Sequence, residues 1–218
     1  MSNNTQNISR CLLVNDLGLI SYLEAWDYQK KLLGERLDNI ELPDVLLLLE
    51  HPPVYTLGTG STEKNIKFDL KKFSGQLFRT ERGGEVTFHC PGHLVIYPIL
   101  NLKYHRQDLH WYLRQLEEVV IQLLAVYGVC GQRIQGLTGV WVDNKKISAM
   151  GIKVKRWITM HGIAFNLCCD LSGFEQIIPC GIGDKSVTSL DRLILDCPTI
   201  DEVKDNFIKI FCEVFNYS

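Results

Sequence analysis

Hydrophobic residues along this chain fall into runs with helical spacing and runs without it. Between residues 19 and 38, Leu19, Leu23, Trp26, Leu32, Leu33 and Leu37 recur at roughly helical spacing among charged residues, which predicts an amphipathic surface helix. Leu109, Leu113, Leu116, Val119, Val120, Leu123 and Leu124 mark a second, broader face between residues 108 and 127. Asp108 stands where an N-cap carboxylate accepts free amides, and Gly128 where a helix ends. Val203, Phe207, Ile210, Phe211 and Phe215 predict a third helix.

The remaining runs read as strands. Val45-Leu46-Leu47-Leu48-Leu49 is continuously apolar and bounded by prolines, too short for a helix and suited to a strand buried on both faces. Leu94-Val95-Ile96-Tyr97-Pro98-Ile99-Leu100 is similar, and Pro98 points to an edge, an end or a bulge. Val86 and Phe88 alternate with Thr87 and His89, as in a half-buried strand. Val140-Trp141-Val142 leads into an Asp143-Asn144 hairpin turn and a return strand over residues 146–154, followed by a third strand over 157–167. A short strand is expected at Cys11-Leu12-Leu13-Val14, a rigid loop with a short strand after it over His51-Pro52-Pro53-Val54-Tyr55-Thr56-Leu57-Gly58, and irregular backbone over 59–75. Residues 1–9 read as a flexible tail and 10–218 as one mixed α+β domain without an internal linker.

Composition narrows the function classes. With 46% apolar residues the chain has ample material for a core, and a net charge of -2 without a basic block gives nucleic acid no electrostatic footprint. No apolar run approaches the ~20 residues that cross a bilayer. The first residues lack the apolar core of a secretory signal, so the cytoplasm is expected. Eight irregularly placed cysteines read as reduced thiols; without a CxxC pair, and with Cys168 and Cys169 adjacent, they define no metal site. No cofactor is expected. A GxxxxGK[ST] phosphate loop is absent from the sequence, which lowers the weight of ATP chemistry.

Candidate chemistry centres on Ile178-Pro179-Cys180-Gly181. Proline fixes φ and glycine frees it, so the pair can hold a thiol at a loop mouth. One nearby cation is enough to activate such a thiol, and Lys146 is the candidate. These residues point to a cysteine acyltransferase; the plainer alternative is a turn with a half-buried thiol. Arg82, ahead of Gly83 and Gly84, either grips an acidic group, braces a loop or makes an ordinary surface ion pair. His89 and His161 are candidate substrate contacts, equally open to a structural role.

Separated segments, in order, resemble the lipoyl(octanoyl) transferase family. They are His51-Pro52 with Tyr55-Thr56-Leu57-Gly58; Arg82-Gly83-Gly84-x-Val86-Thr87-x-His89-x-Pro91-Gly92; Lys145-Lys146-Ile147 with Met150-Gly151; His161-Gly162 with Ala164 and Asn166; and Ile178-Pro179-Cys180-Gly181. The resemblance implies the biotin/lipoate protein ligase fold, with a single mixed-sheet domain. It also implies transfer of an octanoyl group from acyl carrier protein to a lysine of apo lipoyl domains, such as those of 2-oxoacid dehydrogenase E2 subunits and the glycine cleavage H protein. By the same resemblance Cys180 and Lys146 are catalytic. Arg82, Gly83, Gly84, Glu85, Val86, Thr87, Phe88, His89, Ala149, Met150, Gly151, Gly162, Ile163 and Ala164 would bind the acyl substrate. Gly84, Gly151 and Gly162 are candidates to keep an acyl tunnel open. The chain departs from the pattern at Cys90, where glycine is usual, and at His93, where glutamine is common; the cysteine would narrow the acyl entrance or require different backbone angles. A lipoyl-domain-to-lipoyl-domain relay, an ATP-dependent lipoate or biotin ligase, and a noncatalytic lipoyl-binding module are the competing functions, and a monomer is the default.

Overall fold

The computed structural model describes residues 11–178 and 186–217. The expected tail and the Pro179-Cys180-Gly181 segment lie outside the described residues.

Strand β2 (Asp44–Glu50) shows why its sequence is apolar throughout. Val45, Leu47 and Leu49 face one core, and Leu46 and Leu48 face another. The first core lies under α1 (Tyr22–Asp38), and the second lies under α2 (Leu109–Val126) and α3 (Ile200–Phe215). The sheet is therefore the middle of three layers. Its strands are β1 (Leu12–Leu19), β2, β6 (His93–Ile99), β9 (Ile158–Asn166), β8 (Lys145–Lys155) and β7 (Val140–Val142), in that spatial order. Only β1 and β2 pair in parallel, across α1 as a βαβ unit; the other neighbours are antiparallel. A second, three-stranded sheet, unanticipated from the pattern, sets β3 (Val54–Leu57) between β4 (Gln76–Arg79) and β5 (Val86–His89).

Helix α1 starts later than its spacing suggests. Leu19 belongs to β1, which continues past a bulge at Gly18, and Ser21 caps the helix by accepting the Glu24 amide. The buried stripe is Tyr22, Ala25, Gln29, Leu32, Leu33 and Arg36, while Leu23 is exposed. Two buried polar residues masked this phase. Arg36 donates to the Leu32 and Pro43 carbonyls, and Gln29 Oε1 accepts the His161 amide at 2.7 Å.

Helix α2 has the expected Asp108 cap, its carboxylate accepting the Trp111 amide. It ends in a Schellman arrangement, with Gly128 at φ +71 and the Val129 amide bonded to the Leu124 carbonyl. Its first turn buries Tyr112 and leaves Leu109 exposed. The Asp143-Asn144 turn has both φ values positive, as an I′ hairpin requires. Arg156 and Trp157 adopt the same sign without any Gly or Asn to announce it.

Pro98 sits near the end of an internal strand, opposite an irregularity. Beyond Ile96 and Ile163 the β6–β9 register is interrupted, and His161 takes φ +58. Thr159 Oγ1 bridges the gap, donating to the Pro98 carbonyl at 2.6 Å and accepting the Leu100 amide at 2.8 Å. A proline is tolerated there because a side chain replaces the missing ladder bonds.

Candidate active site

Between the two sheets lies a cavity of about 250 Å³. Its β8 and β9 wall is Ala149, Met150 and Gly151 beside Gly162, Ile163 and Ala164. The loop before β5, and β5 itself, bring Arg82, Gly84, Glu85, Val86, Thr87 and His89 to it. Lys146, at the start of β8, also lines it, together with residues 136–138. Three sequence segments far apart in the chain thus meet at one space.

Gly83 and Phe88 do not line that space. The Gly83 amide donates to the Ile152 carbonyl at 2.8 Å, joining the loop to β8. Phe88 alternates away into a satellite core, its ring 4.8 Å from Tyr55 and 5.9 Å from Phe174. The expected half-buried pattern of β5 is also revised: Val86, Phe88 and His89 are all buried, because the strand is covered on both faces.

Arg82 is buried rather than a surface residue. Its guanidinium donates to the Thr56 carbonyl at 2.7 Å, to Thr56 Oγ1, to the Glu85 carbonyl at 2.8 Å and to the Gly83 carbonyl. The planar fork thereby folds the double-glycine loop onto β3. Gly84 carries φ +91, and a Cβ at Gly58 would stand 2.2 Å from its carbonyl oxygen.

The two strand glycines serve close approach more than open space. A Cβ at Gly151 would meet the Gly83 carbonyl at 2.8 Å, and one at Gly162 would meet the Ile96 carbonyl at 2.4 Å. Both line the cavity through backbone.

Lys146 is largely buried. Its Nζ donates to the Thr138 carbonyl at 2.9 Å and stands 4.7 Å from the centre of the Trp141 ring. Its backbone also receives the chain that follows Cys180. The Lys146 amide donates to the Ser186 carbonyl and the Thr188 amide donates to the Lys146 carbonyl, each at 2.9 Å.

Sequence reasoning missed Tyr22 and Tyr97, which line the cavity beside His161. Tyr22 opens an amphipathic helix and Tyr97 sits in an apolar strand, so neither carried a local signal. His89, on the cavity wall, is in ring contact with His51 and His93 behind it. The Ile20 carbonyl can only accept, so His51 carries its proton on Nδ1 and its Nε2 accepts from the Tyr97 hydroxyl. Burial pushes His51 and His93 down to about 4 and His89 well below the ordinary imidazole value. It lowers His161 too, although the Glu81 carboxylate lies 3.7 Å from Nε2. Burial also raises Tyr22 to about 12, so this wall is neutral.

Cys90 affects neither entrance nor backbone in the expected way. It does not line the cavity, it lacks a positive φ, and its thiol points to the Asp170 carbonyl at 3.5 Å. The described cysteines are free thiols, and among the described residues no group of three His, Cys, Asp or Glu side chains is placed to hold a metal. No helix among them is long and apolar enough to cross a membrane.

Fold and sequence agree on the class. The fold resembles lipoate-protein ligase A bound with ATP, at a TM-score of 0.72 and 17% identity, covering 96% of this chain and 86% of that one. It also resembles biotin protein ligase from Aquifex aeolicus in complex with biotin and ATP, at 0.54 and 14%, covering 94% and 70%. Residues 21–212 match the lipoyl protein ligase A/B catalytic domain, and the chain belongs to that family.

Within the family its relatives are narrower. It is 57% identical over 207 residues to an octanoyltransferase of Nostoc sp. (strain PCC 7120), covering 95% of this chain and 93% of the relative. It is 48% identical over 211 residues to the chloroplastic octanoyltransferase LIP2p2 of Arabidopsis thaliana, covering 90% and 75%. The chain stands in the octanoyltransferase branch, the acyltransferases of lipoate biosynthesis.

Proposed function

We propose that Cys180 accepts an octanoyl group from octanoyl-acyl carrier protein and passes it to a lysine of an apo lipoyl domain, with Lys146 moving the protons. The acceptors are lipoyl domains of 2-oxoacid dehydrogenase E2 subunits and the glycine cleavage H protein. The observation that carries the reading is Lys146 at a mainly apolar cavity, its backbone bonded to the segment that follows Cys180.

The cycle balances with one lysine. Protonated Lys146 stabilises the Cys180 thiolate, which attacks the carrier thioester; the carrier sulfur leaves and takes the proton from Lys146. Neutral Lys146 then receives the proton of the acceptor amine as that amine attacks the acyl-cysteine. The amide forms, the C–S bond breaks, and Cys180 returns as thiolate beside a protonated lysine. Thioester exchange costs little free energy, and amide formation draws the sequence forward. Burying the acyl chain contributes roughly 0.8 kcal/mol per CH₂.

Intact-protein mass spectrometry with octanoyl-acyl carrier protein, in the absence of ATP, tests this. An octanoyl adduct is expected on the wild type, discharged by an apo lipoyl domain, and none on Cys180→Ala. Discharge of a second octanoylated lipoyl domain in place of the carrier would move the relay reading ahead; a requirement for nucleotide would favour the ligase reading.

A further inference from the structure

Glu117 is an internal residue of α2 on the side turned to the core, and its carboxylate is fully buried. A buried carboxylate persists only when its lone pairs are satisfied. Glu117 Oε2 accepts from Arg114 Nη1 at 2.6 Å and from Arg133 Nε at 3.1 Å. Its other oxygen, Oε1, accepts the backbone amide of Gly139 at 3.0 Å.

That amide belongs to the peptide whose carbonyl is Thr138 O, the acceptor of Lys146 Nζ. One planar peptide unit therefore has Glu117 on its N–H and Lys146 on its C=O. Gly139, at φ +126, leaves no room for a side chain: a Cβ there would stand 2.7 Å from the Ser148 carbonyl and 3.1 Å from Lys146 Cε. The peptide is held from the helix side by a carboxylate and pressed against the lysine on the other.

We infer that Glu117 is a positioning residue for the acyl transfer, fixing the 138–139 peptide so that Thr138 O holds Lys146 Nζ at the cavity. It touches no reacting atom. Arg114 and Arg133 hold the carboxylate in turn, and Arg133 is itself tied to Glu118 Oε2 and to the Arg114 carbonyl. The chain of contacts runs from an exposed arginine, through a helix, to the proposed proton carrier. The inference rests on the role proposed above for Lys146.

Glu117→Gln and Arg133→Gln separate this role from plain stability. The glutamine keeps the size of Glu117 but presents an amide in place of the charge that Arg114 and Arg133 grip. Two readouts are taken on folded protein, verified by circular dichroism. One is the acetylation rate of Lys146 by trace acetic anhydride, followed by peptide mass spectrometry against Lys31. The other is steady-state octanoyl transfer to an apo lipoyl domain. Lys146 labelling is expected to rise in both variants and kcat to fall roughly tenfold or more, with KM for the carrier retained. Glu213→Gln, exposed on α3 and outside these contacts, should leave both readouts unchanged. Unaltered Lys146 labelling in folded Glu117→Gln overturns the positioning role. Altered labelling with full turnover overturns it as well, and places the failure in the catalytic assignment of Lys146.

Discussion

Arg82 illustrates how much a single side chain decides at this site. It ties the loop before β5 to β3 by supplying donors, since the Thr56, Gly83 and Glu85 carbonyls all accept from one guanidinium. Lysine cannot span that set, because an ammonium is a point charge without the planar fork. Arg82→Lys is expected to destabilise the fold by about 1–3 kcal/mol in chemical denaturation, through carbonyls left unpaired in a buried place. It should also raise KM for the octanoyl donor, because the loop forms one wall of the cavity; an unchanged KM would detach the loop from substrate binding. That Arg82 braces a loop was legible as one of three readings. The burial of Arg82 was not, because a lone arginine beside glycines reads equally well as a surface residue. Glu117 was hidden more deeply still: nothing in a helical repeat distinguishes a buried carboxylate from an exposed one until its arginines are seen in space.

At the level of elements, the three helices and most strands followed from hydrophobic period, since each must cover a face of the sheet. The errors fell where polar residues occupy core positions. Gln29 and Arg36 hid the phase of α1, and the small sheet escaped as a sheet: β5 showed its alternation and a short strand was expected where β3 lies, but β4 showed no period and four-residue strands do not name their partners. Pro98 was legible as an irregularity, but the compensating residue lies on another strand. Thr159→Val preserves shape and removes the hydroxyl that serves both the Pro98 carbonyl and the Leu100 amide. The variant should lose about 1–3 kcal/mol of stability by urea unfolding, with its fold retained. A neutral result would mean that the β6–β9 interruption is satisfied without Thr159.

In the whole molecule, the two sheets and α1 meet at a seam of neutral rings: Tyr22, His51, His89, His93 and Tyr97. His51 and His93 have folded values near 4 against 6.5 for the free group. Between these values the unfolded chain binds more protons, so stability rises with pH across the window and is level above 6.5. Each such histidine withdraws stability on the order of 3 kcal/mol as pH falls through the window. Urea midpoints should therefore drop as pH is lowered from 6.5, and His93→Gln should flatten the drop; a wild-type midpoint independent of pH would show that the rings are charged or solvated. No local pattern announced this seam, because its members come from one helix, two strands and the loop after β2.

The position of β6 has a bearing on how the chain reaches this state. β1, α1 and β2 form one local unit, and β7, β8 and β9 form another joined by tight turns. β6 pairs with β2 on one side and β9 on the other, with long stretches of chain intervening on each. Loop closure of both must precede its docking, so insertion of β6 is expected to be the slow, late event of refolding. Its undocking is then the first step of unfolding, so its amides should take up deuterium ahead of those between β8 and β9.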